Sequence, residues 1–200
     1  MQVTRTTFSG ILFDILDPES DDFRITDIAH HLSMESRFGG STIFFYSVAQ
    51  HSVYLSHIVP DDFKLAALLH DGTEAYLRDI PRPIKVILPE YVAIEQLLGA
   101  RLALAFNLPV NVFEAPQITA YDEMMMCIEA ASLLANPEPI FAKYGRPDRH
   151  IRSIDPNFGG WYPDYAEQRF LDRFNELVGR EVKDETAGKS EGFSVVVKGK

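Results

Sequence analysis

Cysteine is almost missing. Cys127 is the single example among 200 residues, which rules out an internal disulfide and a thiolate-built zinc cage. Its helical apolar surroundings make it a core residue rather than a nucleophile. Also missing is any unbroken apolar run near the roughly 20 residues that span a bilayer. Gly, Pro or charge interrupts every candidate, so a soluble protein with no membrane partner is expected. No basic start followed by an apolar core and a small-residue cleavage site occupies Met1 to Gly10, and a cytoplasmic location is therefore expected. Basic residues are in the minority, 19 Lys and Arg against 29 Asp and Glu, for a net charge of −10. Such a balance argues against polymeric nucleic acid, whose binders present a basic stripe. It leaves a small anionic ligand open, because a few arginines and a metal ion can make a positive pocket inside an acidic protein.

What is present is mostly helical patterning over a length that suits one well-buried domain. The fold class expected is all-α, mostly helical, with a small N-terminal β-hairpin. One domain is expected over 1–182 and a flexible tail over 183–200. Phe8 to Ile25 carries short apolar stretches around a turn-rich Pro18 to Asp22, which reads as that hairpin. A short helix is predicted from Thr26 to Ser36, stopping near Gly39 and Gly40. Phe45 to Val59 regains helical spacing and places His51 in line with Leu55 and Ile58, pointing inward. A buried helix follows from Asp61 and ends at His70. Longer helices are predicted from Pro89 to Phe106 and from Ala115 to Leu134, and an amphipathic one from Tyr165 to Val178. Asn136 to Tyr162, rich in Pro and Gly, reads as an irregular connection. No internal repeat is visible.

Chemistry gathers at His51, His70, Asp71 and Asp122, two imidazoles and two carboxylates from three predicted helices. Nitrogen and carboxylate oxygen together suit one divalent ion of the Mn, Fe, Co, Ni or Zn type, whereas calcium would want oxygen alone. No histidine occurs between Asp71 and His150, so a single ion is the expected cofactor. Four protein ligands leave open positions for water and a substrate oxygen only if the shell can expand. Singly, a buried helical histidine is more often a hydrogen-bonded core residue, and Asp71 or Asp122 could serve as a helix-terminal charge. The four in this order favour ligation. His57 projects away from His51 around its helix, and His30 and His31 point apart, so none joins the set. Glu129, seven residues after Asp122, lies on the same stripe and reads equally as a pocket residue or a core ion pair. Met124, Met125 and Met126 read as core filling.

His51, then HDGTEAYLRDIPRPIK from His70 to Lys85, then Asp122 within ITAYDEMMMCIEA together resemble the HD-domain metal-dependent phosphohydrolase superfamily over most of residues 26–180. Within it the chain is similar to bacterial HD-domain 5′-deoxynucleotidases and their prophage-type relatives, which place an arginine-aromatic pair, here Arg37-Phe38, ahead of the first histidine. The resemblance implies an HD-type helical bundle in which His51, His70, Asp71 and Asp122 bind the metal. It further implies that Glu74, with Asp71, serves catalysis by handling the attacking water, that Arg37 faces the phosphate, and that Asp79 lines the sugar pocket or stands behind the metal ligands. Lys85 could add a second charge, and Phe38 stands where the family often has tryptophan, which removes an indole donor. The implied partner is a small nucleotide, and a homo-oligomer is expected. Deoxynucleoside monophosphates are the leading substrates. A deoxynucleoside triphosphate triphosphohydrolase and a non-catalytic nucleotide-binding regulatory module are the alternatives. The GYP extension of cyclic dinucleotide phosphodiesterases is missing.

Overall fold

The structure, a computed structural model, describes residues 2–147 and 159–179. It is mostly α. Two three-residue strands, β1 (Thr4–Thr6) and β2 (Leu12–Asp14), pair antiparallel with Arg5 opposite Phe13. The helices are α1 (Ile25–Met34), α2 (Val48–Ile58), α3 (Lys64–Leu69), α4 (Glu74–Leu77), α5 (Arg82–Lys85), α6 (Pro89–Ala105), α7 (Pro116–Leu133), α8 (Glu138–Tyr144) and α9 (Pro163–Val178). No helix among the described residues is long and apolar enough to cross a membrane.

The centre of the bundle is α2, which packs against α1, α3, α7 and α9. Its residues Val48 through Ser56 are all buried, so the helix that carries His51 meets solvent only at its last residues, His57 and Ile58. It begins at Val48 rather than Phe45, because Ser47 takes the cap position and its Oγ accepts the Gln50 N–H at 3.1 Å. α9 closes one side with Ala166, Phe170, Arg173 and Phe174, a stripe at helical spacing. Each large apolar side chain buried this way contributes roughly 1.5–3 kcal/mol. Arg173 is buried but satisfied, since its Nε donates to Ser56 Oγ at 3.0 Å and its Nη2 to Ser56 O at 2.9 Å. That contact ties α9 to the end of α2.

The hairpin lies earlier than predicted. Gly10, at φ 86°, supplies the left-handed turn residue. Asp27 of α1 accepts the Ser9 N–H at 2.6 Å and the Ser9 hydroxyl at 2.8 Å. The acidic stretch after Pro18 instead forms a single tight helical turn (Ser20–Asp22), with the Asp22 carboxylate accepting the Glu19 N–H at 3.0 Å. The hairpin braces the site from below. Phe13 is fully buried and stacks on Tyr76 of α4 at 4.0 Å between ring centres, while Arg5 Nη1 donates to Tyr76 O at 2.7 Å.

A second correction concerns the connection after Asn136. It contains α8, whose first turn holds Pro139 where the missing N–H costs nothing. Residues 148–158 of that connection and the expected tail over 183–200 lie outside the described residues. Cys127 is buried, as expected of a core residue.

Candidate metal centre

Local chemistry sets the site's frame. α3 ends on Leu69, and the chain turns through His70, Asp71 and Gly72, with the Gly72 N–H donating to Leu69 O at 2.8 Å and the Glu74 N–H to Asp71 O at 3.0 Å. The turn presses against α6. A Cβ built on Gly72 would lie 2.6 Å from Leu102 Cδ2 and 2.9 Å from Leu69 O, so only glycine lets the two elements meet so closely. Opposite, α7 offers Asp122 and Glu129 two turns apart on one face.

His51, His70 and Asp71 each direct one ligand atom into a single volume, all within 4.8 Å of one another. His51 Nε2 is 3.8 Å from Asp71 Oδ2 and 3.3 Å from Asp122 Oδ1, and His70 Nε2 is 3.1 Å from Asp71 Oδ1 and 4.0 Å from Asp122 Oδ1. Thus His51, His70 and Asp71 form one group able to hold an ion, and Asp122, the fourth predicted ligand, stands beside it with Oδ1 near both Nε2 atoms. Both imidazoles are turned the same way by acceptors on the other nitrogen. His51 Nδ1–H donates to Glu129 Oε1 at 2.6 Å and His70 Nδ1–H to Ala67 O at 2.8 Å. Each Nε2 is then left buried with no hydrogen-bond partner among the described residues. Buried polar atoms are rarely left so. Two imidazole nitrogens and an ionised carboxylate are a donor set that suits a borderline divalent ion, and the group can hold one.

Charge is packed tightly around this point. Arg37 Nε donates to Glu129 Oε2 at 3.0 Å, Nη1 reaches Asp71 Oδ2 at 3.4 Å, and Nη2 reaches Asp122 Oδ1 at 3.2 Å. Glu129 is fully buried and also accepts from the Tyr46 hydroxyl at 2.9 Å. Burial works to raise the Asp71 and Asp122 pKa values, yet the nearby His70, His51 and Arg37 hold both well below the usual carboxylate range. Glu129 is likewise kept low by His51 and Arg37 against its burial. Burial and Arg37 push His51 down, but the Glu129 and Asp122 carboxylates outweigh them and hold it at about 9.

Glu74 behaves oppositely. Burial first, then Asp71 and Asp79, push its pKa well up, against the pull of Lys85 and Arg37. Its Oε2 is buried without a hydrogen-bond partner. Two kinds of carboxylate therefore share the site, one held ionised and one with a high proton affinity, which is the division that acid–base chemistry uses.

A cleft of about 1150 Å³ opens from the cluster and is lined by Arg37, Phe38, Asp79 and Lys85, the residues expected to meet a substrate, together with His70, Asp71, Glu74 and Asp122. Phe38 sits at φ 56°, φ values that a bulky residue seldom takes, with its ring 5.7 Å from the Arg37 guanidinium carbon. Arg78, just before Asp79, is also at positive φ, 82°. Backbone strain thus falls on both segments that edge the cleft. Lys85 Nζ lies 2.6 Å from Glu95 Oε1 and 3.7 Å from Glu74 Oε1, so its charge is engaged by carboxylates. His57 is exposed, and His30 Nδ1 pairs with Glu167 at 2.9 Å, both away from the cluster.

Sequence reasoning missed Arg82. Its Nη2 donates to Asp122 Oδ2 at 2.8 Å from the cleft's edge. The only signal in the sequence was its position within D-x-P-R-P. It left Glu129 undecided between pocket and core ion pair; the residue is fully buried and pairs with both His51 and Arg37, directly beside the cluster.

No family model matches the chain. It is 37% identical over 172 residues to the Escherichia coli (strain K12) protein "Uncharacterized protein YfdR", covering 86% of this chain and 93% of that protein. It is 35% identical over 154 residues to "Uncharacterized protein RCAP_rcc00048" of Rhodobacter capsulatus, covering 70% of this chain and 78% of that protein. The chain belongs to the family that these two proteins represent.

Proposed function

We propose that the protein is an HD-type, divalent-metal-dependent phosphohydrolase of small nucleotides, with deoxynucleoside 5′-monophosphates as its substrates. His51, His70, Asp71 and Asp122 would hold the ion. The observation that carries the proposal is the pair of buried, unpartnered Nε2 atoms of His51 and His70 beside Asp71, at the floor of a cleft that Glu74 also lines. When bound, the ion supplies Lewis acidity, drawing charge from a phosphoryl oxygen and easing the ionisation of water.

The chain's own groups do the rest. Glu74, whose environment raises its proton affinity, accepts the proton of the attacking water and can return it to the leaving alcohol oxygen. Arg37 is held rigidly by Glu129 through Nε, which directs its two terminal nitrogens toward the metal ligands and the phosphate beside them. Asp79 and Phe38 line the cleft where the nucleoside would lie.

Charge favours the monophosphate over the triphosphate. The cleft lining carries four cationic side chains against seven carboxylates. A single phosphate paired with a divalent ion suits that surplus of negative charge, whereas a triphosphate would be repelled by it.

Metal-supplemented protein incubated with a panel of deoxynucleoside mono- and triphosphates, with products identified by mass, tests the proposal. Orthophosphate and a nucleoside from the monophosphates are expected. Inorganic triphosphate as the product would replace the monophosphatase with a triphosphohydrolase. Tight nucleotide binding with no product across the panel would make the protein a regulatory binding module.

A further inference from the structure

We propose that Arg82 contacts the substrate's phosphate and sets the cleft's affinity for it. This rests on the phosphohydrolase reading above, and it assigns a binding role outside the HD motif.

The cations of the cleft differ in how far they are already used. Arg37 has a side chain only 13% exposed, and each of its three nitrogens faces a carboxylate of Glu129, Asp71 or Asp122. Lys85, 20% exposed, is held by Glu95 and Glu74. Arg82 is 47% exposed and makes one short contact, Nη2 to Asp122 Oδ2 at 2.8 Å. Its Nη1 stands 3.4 Å from both Glu123 Oε1 and the Tyr144 hydroxyl, at the long limit of hydrogen bonding. A guanidinium carries five N–H donors in a planar fork; three face these partners, two of them at the long limit, which leaves Nε–H and one Nη2–H for a ligand in the cleft.

Its position supplies the second half of the argument. Asp122 turns Oδ1 toward the two histidines and Oδ2 toward Arg82. One carboxylate therefore separates the guanidinium from the point where the ligand atoms converge. A phosphate oxygen near that point brings its neighbouring oxygens within reach of an arginine fork, the geometry that arginine recognises in pairs. Pro81 and Pro83 flank Arg82 and restrict the backbone from which it projects, and the Ile84 N–H donates to Pro81 O at 2.8 Å. On the far side, the Tyr144 ring lies 6.0 Å from the guanidinium carbon and limits its outward swing.

The test is calorimetric titration of inorganic phosphate into the full chain loaded with manganese(II), for the wild type, Arg82→Gln and Arg82→Lys. The manganese affinity of each is measured separately by chelator competition. Arg82→Gln is expected to weaken phosphate binding at least about tenfold, with Arg82→Lys recovering part of it, while manganese affinity stays within about threefold. Unchanged phosphate affinity in Arg82→Gln overturns the proposal, as does wild-type protein that takes up manganese and binds no phosphate. A loss of phosphate binding that tracks an equal loss of manganese also overturns it, because Arg82 would then only orient Asp122. The two readings fail separately. If Arg82-dependent phosphate binding occurs without hydrolysis of any nucleotide, the phosphohydrolase falls and the subsite stands. If nucleotides are hydrolysed with the same KM in the wild type and Arg82→Gln, the reverse holds.

Discussion

His51 Nδ1 and Glu129 Oε1 lie 2.6 Å apart between α2 and α7, and that hydrogen bond decides which histidine nitrogen faces the cluster. With Nδ1–H donating to Glu129, Nε2 is the nitrogen that faces the cluster, and a metal bound there would take the place of the proton that the surrounding carboxylates favour. Glu129→Gln preserves the shape and an acceptor oxygen but removes the charge that fixes both His51 and Arg37. Metal affinity, read by competition with a chromogenic chelator, is expected to fall by roughly 10- to 100-fold. An affinity equal to the wild type would mean that His51 needs no such support.

Asp71 supplies the carboxylate nearest His70, with Oδ1 at 3.1 Å from Nε2. Asp71→Ala is expected to lose bound metal and phosphohydrolase activity together while the far-ultraviolet circular dichroism stays helical, because Asp71 sits in a turn and fills no core position. Metal content after gel filtration, measured by mass spectrometry, is the check. Activity retained without metal would reject the proposed mechanism.

Glu74 should separate binding from chemistry. Its Oε2 makes no hydrogen bond and its Oε1 faces Lys85 at 3.7 Å, so Glu74→Gln deletes a proton acceptor and weakens one long ion pair. The variant is expected to keep its metal and lose roughly 10²- to 10⁴-fold in kcat, the usual range for general acid–base groups. Loss of metal in this variant would move Glu74 from proton transfer to ligation.

How much of this was legible in the sequence depended on how local the cause was. Apolar spacing placed α6, α7 and α9, because one helical face meeting one core leaves a periodic trace. The spacing around His51 also predicted its inward direction, and the ordered His, His-Asp and Asp pointed to the grouping of His51, His70 and Asp71 with Asp122 beside them. The hairpin was misplaced because its turn is held by Asp27, whose carboxylate binds Ser9 eighteen residues away. Arg82 left only its place in D-x-P-R-P, since an exposed charge between two prolines has no period to read. Glu129 showed its stripe but not its partners: His51 and Arg37 reach it from two other segments, and only the packing against α7 brings them there.

Gly72 gives a purely steric prediction. Leu102 is fully buried against it, with Cδ2 only 2.6 Å from where a Cβ would stand. Gly72→Ala must displace either α6 or the His70-Asp71 turn, at a cost of about 1–3 kcal/mol. Tm should drop by several degrees and metal affinity should weaken with it. An unshifted Tm would show that Leu102 can change rotamer freely.

His31 gives a pH dependence whose sign follows from its partners. Nδ1–H donates to Ala75 O at 2.7 Å, and Nε2 accepts the Phe8 N–H at 3.2 Å, an arrangement that only the neutral ring satisfies. Burial lowers its pKa below 6.5, with Arg5 and His30 adding to the shift and Ala75 O and Asp27 opposing it. The unfolded chain therefore binds the proton more readily than the folded one. The stability that neutral His31 contributes is complete above about pH 6.5 and is lost as pH falls through that value toward the lower folded pKa. His57, also lowered chiefly by burial, acts in the same direction, so the contribution of His31 has to be taken as a difference between proteins. Urea midpoints of the wild type and His31→Asn, measured from pH 7.5 to pH 5.5, isolate it. Asparagine can still donate to Ala75 but cannot titrate, so the variant should start less stable and lose less as the solution is acidified. Parallel pH profiles would show that the imidazole titrates alike in the folded and unfolded chains.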